Sequence, residues 1–448
     1  MTGGPFSAGR NKKGSIKMKY KFVSILLALC TVAGSMTLPA FADNAQAAQI
    51  EGSALAEADD AGTENKTETE NNADAVRGYE YKVLDDNTIE ITGYQGTDTA
   101  LVIPDKVEDK PVTTIKEGAF GDCKNLKSIV IPKGVTSLAD YVFTGCTGLT
   151  DVTFPDGLKT IGESVFSGCA SLKNLTFPDS LKNIDFSAFS GCTGLTDLQF
   201  PKNLEYVGLN AFSGCKNLKN VQFSEGLRTI AEGAFAGCSS LESIDLPLST
   251  KEIAKNAFMN CDQLKKVAYA GSKSDRIKMQ LMGEGNAPLL QSVITYGSTG
   301  KSESFAPKKG AKIRDGVTTY QVKTDVSELA FVKTADKATK ITVKDQVTID
   351  GICYTVASVT KNAFLNNKRI TKVTIQGEIK SIGKSAFKGC SRLNKIIVRS
   401  SRLESVGTNA LKGISPNAVI KVYDLKLNEY KKLFKNKGQG SRVKIVAY

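Results

Sequence analysis

The sequence of 448 residues contains no histidine and no tryptophan. Without histidine there is no Ser-His or Cys-His nucleophile, no imidazole base near neutral pH and no histidine-ligated zinc site. Without tryptophan the chain lacks the preferred aromatic platform for stacking on sugars or cations. These absences exclude several large classes of enzyme. We predict that the protein is not an enzyme.

Ten cysteines are present, but none of them forms a CxxC pair. A cysteine-rich zinc site normally uses such pairs, often together with histidine. We therefore predict no bound metal and no cofactor.

Positive charge is concentrated at one end of the chain. Residues 301–448 carry 30 Lys and Arg against 11 Asp and Glu, a net charge of +19, whereas the whole chain carries +13, which leaves −6 for the first 300 residues. A basic domain can attract nucleic acid, anionic lipid or anionic wall polymer through the same long-range electrostatics, and it can also be merely soluble.

Residues 1–42 have the order of an export signal. A cationic segment precedes an apolar run over residues 22–38, and the small-x-small triplet 40–42 favours cleavage after residue 42. Met18 is an alternative start. An uncleaved membrane anchor is disfavoured because the run is short and ends at a cleavage-like site. We predict a secreted or extracellular protein. Association with the cell surface is an open alternative within this prediction.

Residues 43–77 are rich in acidic residues and contain no aromatic residue. They cannot bury enough apolar surface to offset chain entropy, so we predict a disordered spacer. Nothing later in the sequence resembles a membrane span, and we expect none after signal cleavage.

Seven cysteines recur at intervals of 23 residues. A phenylalanine stands three residues before each of them and a leucine three residues after each of them. A period of 20 to 29 residues with this spacing is typical of a leucine-rich-repeat solenoid, in which each unit buries its apolar face on its neighbours. The seven cysteines are Cys123, Cys146, Cys169, Cys192, Cys215, Cys238 and Cys261.

Within each repeat, the residues four to eight positions after the cysteine predict a half-buried strand. TDVTF at 150–154 alternates polar and apolar residues, and a proline then ends the strand. A glycine before most of the cysteines lets the backbone bend at that corner.

The cysteine column is predicted to face the interior. There each thiol acts as a small apolar group that donates weakly to a loop carbonyl. Identical neighbours in one column would pair only by breaking the repeat symmetry, which disfavours an ordered disulfide framework.

The pattern F-x-G-C-x-x-L-x-x-V-x-F-P-x-x-L-x-x-I resembles the BspA-like, Treponema-type leucine-rich repeats of secreted and surface proteins in bacteria and some protozoa. The resemblance covers residues 78–297. It implies an amino-terminal hairpin that caps the stack and a closing segment of helix and strand at 269–297, where Arg276 occupies a position that is often tryptophan in relatives.

Residues 298–312 are small, polar and basic, and they predict a linker. Beyond them Phe364 and Phe387 are again 23 residues apart, Asn367 replaces one cysteine, and a degenerate third copy at 409–415 is offset by one residue. This block resembles the lysine-rich carboxy-terminal repeat domain of exported proteins from anaerobic Gram-positive bacteria. We therefore predict a β-rich fold with short helices and two leucine-rich-repeat solenoid domains, 78–297 and 313–448, each with a hairpin amino-terminal cap.

Two columns of short polar side chains are predicted to line the outer surface of the strands, five and seven positions after each cysteine. One interpretation is a rigid face that binds a protein or a glycan, and the other is a solvated sheet that only keeps the solenoid soluble. Catalysis by acids on this open face ranks third, since exposed carboxyls lack the burial that raises one pKa. The candidate binding residues are Asp151, Thr153, Asn174, Thr176, Asp197, Gln199, Asn220, Gln222 and Asp245.

The basic block offers a second candidate surface, one that binds anionic cell-wall polymers or anionic lipid. Solvation alone also explains these lysines. Nucleic acid is a poor candidate partner because the protein is predicted to be exported and lacks interleaved aromatics. The candidate residues are Lys368, Arg369, Lys372, Lys384, Lys388, Arg392 and Lys395.

The resemblance implies an adhesin-like binding protein whose partners are proteins or glycans of a host or of neighbouring cells. The alternative is a wall-associated scaffold that the basic block retains without a covalent bond. No sorting signal for covalent anchoring is visible in the sequence.

Overall fold

The computed structural model describes residues 77–173, 175–323, 325–335 and 337–448. The predicted export signal lies outside these residues, as does the predicted acidic spacer apart from Arg77. Asn174, one of the candidate binding residues, is also outside them.

Each repeat forms one turn of a β-solenoid with strands on two sides. In the turn that begins at Cys146, the strand Asp151–Thr153 buries Val152 and exposes the residues beside it, as the pleat of a strand requires. A second strand of two residues, Thr160–Ile161, buries its isoleucine. The chain then passes through the next phenylalanine to the next cysteine.

The chain begins with antiparallel pairing and then changes to parallel stacking. β1 and β2 form an antiparallel hairpin, while β2 and β5 run parallel. The strands of this segment are β1 (Tyr79–Val83), β2 (Ile89–Tyr94), β3 (Ala100–Val102), β4 (Lys106–Val107) and β5 (Lys110–Ile115).

The first repeat block, residues 116–297, alternates longer and shorter strands. Its strands are β6 (Ser128–Val130), β7 (Ser137–Leu138), β8 (Asp151–Thr153), β9 (Thr160–Ile161), β10 (Asn183–Ile184), β11 (Asp197–Gln199), β12 (Tyr206–Val207), β13 (Asn220–Gln222), β14 (Thr229–Ile230), β15 (Ser243–Leu246), β16 (Glu252–Ile253), β17 (Lys266–Tyr269), β18 (Gln280–Met282) and β19 (Val293–Tyr296). Two short helices interrupt its last turn, α1 (Lys273–Lys278) and α2 (Ala287–Gln291).

A middle segment follows, with strands that do not repeat. These are β20 (Ser302–Ser304), β21 (Lys312–Asp315), β22 (Thr318–Val322), β23 (Glu328–Thr334), β24 (Lys340–Val343), β25 (Gln346–Ile349) and β26 (Ile352–Val359). β25 and β26 form an antiparallel hairpin that turns at Asp350 and Gly351.

The second repeat block, residues 360–448, contains β27 (Lys372–Ile375), β28 (Ser381–Ile382), β29 (Lys395–Val398), β30 (Ser405–Val406), β31 (Val419–Val422) and β32 (Lys444–Ala447). A 3-10 turn (Asp424–Lys426) leads into helix α3 (Leu427–Phe434). The helix α3 and the strand β32 end the described chain.

The strands form two sides, which we name the narrow face and the broad face. The narrow face consists of β7, β9, β10, β12, β14, β16, β18, β26, β28 and β30, paired in parallel in that order. The broad face consists of three sheets, β3-β6-β8, β11-β13-β15-β17-β19-β20 and β24-β27-β29-β31-β32.

The narrow face joins the two repeat blocks. β18, the last narrow strand of the first block, pairs in parallel with β26, where Leu281 lies opposite Ile352. The described residues belong to one compact unit. The predicted linker 298–312 contains β20, paired antiparallel to β19, and the buried Phe305. The division into two domains and the capping role of the hairpins stay predictions.

The predicted interior columns are confirmed. Rings of successive turns stack with centroids 5.0–5.6 Å apart, from Phe120 to Phe258. Six of the seven cysteines are fully buried, and each of those six thiols donates to the carbonyl oxygen of the phenylalanine 26 residues earlier, at 3.1–3.3 Å. Cys123, in the first turn, is only half-buried, and all the described cysteines are free thiols.

The corner before each cysteine needs a left-handed backbone. Gly145 and Gly237 have φ of 73° and 75°, and the equivalent Asp122 and Asn260 both have φ of 59°. Glycine adopts this conformation freely, and asparagine and aspartate tolerate it better than other residues do. The requirement explains which residue types occupy the corner.

One predicted broad-face strand is absent. Residues 175–177 do not form a strand, and β8 and β11 on either side of them belong to separate sheets. The bond from Lys173 N to Thr150 O is 3.4 Å long, compared with 2.8 Å for Thr150 N to Lys127 O one turn earlier. The backbone therefore moves away from the ladder at this turn, and Leu175 is half-buried where Val152 and Leu198 are buried.

Candidate functional site

The candidate binding residues lie on the broad face, on both sides of this break. Asp151 and Thr153 belong to β8, on the amino-terminal side. Thr176 is exposed within the break itself. The other described candidates, Asp197, Gln199, Asn220, Gln222 and Asp245, lie together on β11, β13 and β15.

The parallel register of β11, β13 and β15 places the candidate residues of these strands in two rows. Asp197 lies opposite Asn220, which lies opposite Ser243, while Gln199 lies opposite Gln222, which lies opposite Asp245. Parallel neighbours in register have their side chains about 4.8 Å apart, within hydrogen-bond reach. The repeat spacing alone therefore assembles the site.

The first of these rows is tied together by hydrogen bonds. Asn220 Nδ2 donates to Asp197 Oδ1 at 2.7 Å, and Ser243 Oγ donates to Asn220 Oδ1 at 2.7 Å. Both ends of the Asn220 amide are thereby used, so its orientation is fixed. The row Asp197-Asn220-Ser243, which we name the polar row, is a preformed and partly exposed surface.

The second row ends at a concavity. Asp245 is half-buried, and burial raises the pKa of its carboxyl, while a hydrogen bond with Gln222 acts in the opposite direction. A cavity of about 410 Å³ beside it is lined by Phe223, Glu225 and Tyr269, among others. The strand pattern does not single out Glu225, because this residue lies ten positions after Cys215, outside the two columns.

The acids do not form one column. Asp151 and Asp197 occupy the first strand position and Asp245 the third, so the three carboxyls are not equivalent. Among the residues that the structure describes, no group of three or more cysteine, aspartate or glutamate side chains is arranged to hold a metal ion.

The predicted basic patch is brought together only in part. Lys372 and Lys395 lie opposite each other on β27 and β29, and Lys340 on β24 extends the same row. We name Lys340-Lys372-Lys395 the lysine row. The repeat pattern does not single out Lys340, because no phenylalanine and cysteine at the repeat spacing precede it to mark its position in a turn.

The other basic candidates lie in the connecting turns. Lys368 donates from Nζ to the carbonyl oxygen of Gly389 at 2.9 Å, and Arg369 and Arg392 are exposed in the turns that lead into β27 and β29. Lys384 and Lys388 lie on either side of the buried Phe387 in the turn after β28. Neither residue belongs to a strand of the lysine row. A single surface that includes all seven residues stays a prediction.

No helix within the described part of the chain is long and apolar enough to cross a membrane. Its longest helix, α3, has eight residues.

The fold and the repeat together define a leucine-rich-repeat solenoid. The model of the BspA type leucine rich repeat region, in six copies, matches residues 113–212, 182–281 and 345–438, which is more than half of the chain. The chain therefore belongs to the BspA-type leucine-rich-repeat family, as its sequence pattern predicts.

Several solved structures are similar. A leucine-rich-repeat protein of T. pallidum is 31% identical, over 42% of this chain and 88% of that chain, with a TM-score of 0.40. One from Bacteroides ovatus is 21% identical, over 83% of this chain and 98% of that chain, with a TM-score of 0.45. A leucine-rich cell surface protein from Faecalibacterium prausnitzii is 22% identical, over 83% and 93%, with a TM-score of 0.42.

Because these TM-scores are low, the family assignment comes from the repeat model alone. A search of curated protein sequences finds no significant match.

Proposed function

We propose that this chain is a non-catalytic, adhesin-like binding protein that recognises a protein or a glycan with the broad face of its first repeat block. The observation that carries the proposal is the polar row, in which two hydrogen bonds of 2.7 Å hold three side chains in place before any partner arrives. A surface that is already ordered loses little conformational entropy on binding.

The chemistry of this face suits a partner rich in both donors and acceptors. Gln199 and Gln222 are exposed, and each amide offers two donors and an acceptor. Asp197 adds acceptors beside them. Sugar hydroxyls and peptide groups both pair with such a mixture, so glycans and proteins are the two partner classes.

The proposal includes a location outside the cell. It rests on the predicted export signal at residues 1–42 and on the family, whose repeats are those of secreted and surface proteins. Solenoids of this family are generally non-catalytic, which supports a binding role.

The test compares two triple variants of the full chain. The first changes the broad face (Asp197→Ser, Asn220→Ser, Gln222→Ser). The matched control changes the first position of three narrow strands, where the side chains are polar and half-buried (Asn183→Ser, Thr229→Ser, Glu252→Ser). Each protein is tested by surface plasmon resonance against a panel of extracellular-matrix proteins and glycans at low and high salt.

We expect a partner that binds the wild type and the control equally and binds the broad-face variant at least about tenfold more weakly. Binding that survives in the broad-face variant, or that falls equally in the control, would contradict the choice of face.

A second candidate function is retention on the cell wall by the basic block, and the lysine row favours it. Three lysines on adjacent strands concentrate positive charge on one face, which attracts phosphate-rich polymers. Purified cell walls should retain the full chain at low salt and release it at high salt, since salt screens exposed charges. The variant Lys340→Gln, Lys372→Gln, Lys395→Gln should bind walls weakly, whereas retention that ignores both salt and these lysines would exclude this function.

A further inference from the structure

Arg276 of helix α1 is an unusual residue in this interior. It is 3% exposed, and it is the one charged side chain that is buried among the residues the structure describes. An arginine side chain carries a positive charge. Burial of that charge is costly unless an anion or several hydrogen bonds compensate it.

The compensation within the protein is incomplete. Arg276 Nη1 donates to the carbonyl oxygen of Asp350 at 2.9 Å, and the guanidinium carbon lies 5.5 Å from the centre of the Phe305 ring. Within the described part of the chain, Nε is buried without a hydrogen-bond partner. No carboxylate among the described residues forms an ion pair with this guanidinium.

The neighbouring carboxylate is engaged elsewhere. Glu303 accepts from Lys273 Nζ at 2.8 Å and from the Tyr296 hydroxyl at 2.9 Å, and the Lys273 hydrogen bond lowers the pKa of Glu303. Burial raises the pKa of Tyr296 to about 12, while Arg276 opposes that rise. The charge of Arg276 also helps to lower the pKa of Glu303, so the guanidinium shares this carboxylate with Lys273.

A cavity of about 350 Å³ lies beside this guanidinium. Three cationic residues, Arg276, Lys273 and Lys308, line it together with two acidic ones, Glu303 and Asp350, so the positive charges outnumber the negative ones by one. It forms where the first repeat block meets the β25-β26 hairpin. Gly351 of that hairpin comes so close to α1 that a Cβ there would lie 2.4 Å from the carbonyl oxygen of Ile277.

We propose that this cavity binds an oxyanion group, a phosphate, sulfate or carboxylate carried on a larger ligand, with Arg276 as its charged anchor. A guanidinium presents donors in a planar fork that matches the oxygens of such groups. Lys308 lies exposed at the opening and adds positive charge. One oxyanion fills only part of 350 Å³, which leaves room for the body of the ligand. The site is separate from the candidate binding residues on β8, β11, β13 and β15, and the proposed function does not depend on it.

The test uses the full chain and three simple probes, inorganic phosphate, sulfate and acetate, at constant ionic strength with chloride as the reference salt. Thermal unfolding and isothermal titration calorimetry measure binding. The variants are Arg276→Met, which keeps the apolar stem, Arg276→Lys, which keeps the charge without the fork, and Lys308→Gln at the opening. Lys216→Gln, an exposed lysine of the first block, is the matched control.

We expect at least one probe to raise the unfolding temperature saturably and to bind wild type and Lys216→Gln equally. Lys308→Gln should weaken binding about threefold, and Arg276→Lys about tenfold or more, because the fork is lost. Arg276→Met should abolish it. The probe that binds best identifies the class of oxyanion.

Two results would overturn the proposal. One is a wild type that responds to all three probes as it does to chloride, and the other is an Arg276→Met protein that still binds. In the first case Arg276 is only a brace to the Asp350 carbonyl, and Arg276→Met should be as stable as the wild type or more so. If Arg276→Met does not fold, Arg276→Lys and Lys308→Gln decide, and wild-type binding by both refutes the site.

Discussion

The two repeat blocks differ in the residues that occupy the cysteine position of a turn. In the first block a buried thiol donates to the carbonyl of the preceding turn, and in the second block Cys390 does the same to Phe364 O at 2.9 Å. One turn earlier Asn367 takes the cysteine position, and its Oδ1 accepts from the backbone N–H groups of Arg369 and Ile370. The carbonyl of Phe331, in the turn before, already accepts from Thr360 N.

This difference shows what the cysteine position of a turn requires. A thiol fits where a regular turn precedes it and leaves a carbonyl to be satisfied, whereas an amide fits where the preceding turn is irregular. A buried amide without partners would be costly, so Asn367 bonds to its own turn instead. The cysteines of the first block therefore follow from regular stacking and not from thiol chemistry.

The broad faces of the two blocks also differ. The first strand position carries the hydrogen-bonded polar row in the first block and the lysine row in the second. Neutral and acidic partners attract one another across strands, whereas like charges directly opposite each other repel. The same geometry thus stabilises one block and opposes stability in the other.

The largest expected effect tests whether the blocks unfold together. Phe212 is fully buried between Phe189 and Phe235, with centroid distances of 5.0 and 5.3 Å, and Phe387 is fully buried beside Phe364 at 5.2 Å. Phe212→Ala and Phe387→Ala should each lower the free energy of unfolding by about 3–5 kcal/mol, measured by urea denaturation. We expect both variants to shift the same transition, because the narrow face is continuous through β18 and β26.

Phe186→Ala is the matched control, since this ring is 42% exposed and its loss should change the free energy of unfolding by only about 0.5 kcal/mol. Two separate transitions, each moved by one variant alone, would instead support the two independent domains that the sequence predicts.

The next effect compares two half-buried cysteines, Cys123 in the first block and Cys353 in the middle segment. The neighbouring Cys146 lowers the pKa of Cys123 to about 7, whereas burial raises the pKa of Cys353. Because the thiolate is the reactive form, iodoacetamide should label Cys123 first, with a rate that rises with pH through about 7. Mass spectrometry should show Cys353 labelled at least about tenfold more slowly at neutral pH.

The fully buried cysteines, such as Cys192, are the internal control and should react only after unfolding, since burial raises the pKa of this thiol. Equal labelling of Cys123 and Cys192 in the native protein would mean that the first turn is no more open than the others.

The smallest effect has opposite signs in the two rows. Asn220→Ala removes two hydrogen bonds from the polar row and should lower the free energy of unfolding by about 0.5–1.5 kcal/mol at any salt concentration. Lys372→Gln relieves repulsion from Lys340 and Lys395 and should raise the free energy of unfolding by about 0.2–1 kcal/mol. High salt should erase the second effect but not the first. Thermal unfolding in low and high salt measures both, and effects of the same sign would refute this comparison of the rows.

The sequence is sufficient to predict the parts of the fold that repeat. The 23-residue period predicts the phenylalanine column, the inward cysteines and the two rows of the broad face, because each depends only on position within a turn. The 23-residue period does not predict the contacts that do not repeat. The pairing of β18 with β26 arises from a hairpin outside the pattern, and Arg276 donates to Asp350, 74 residues away. The break at 175–177 is equally hidden, since its turn has the same Phe, Cys and Leu spacing as its neighbours.

The thiol-to-carbonyl bond between successive turns has a consequence for the history of the chain. In the phenylalanine and cysteine columns, an interior turn of the first block presents to the next turn the same groups that it received from the one before. Duplication or deletion of one 23-residue unit therefore keeps both columns continuous, so unequal recombination between such similar stretches preserves this part of the interior. The number of repeats can therefore change by mutation and selection. Each unit gained or lost changes the length of the solenoid by about 4.8 Å.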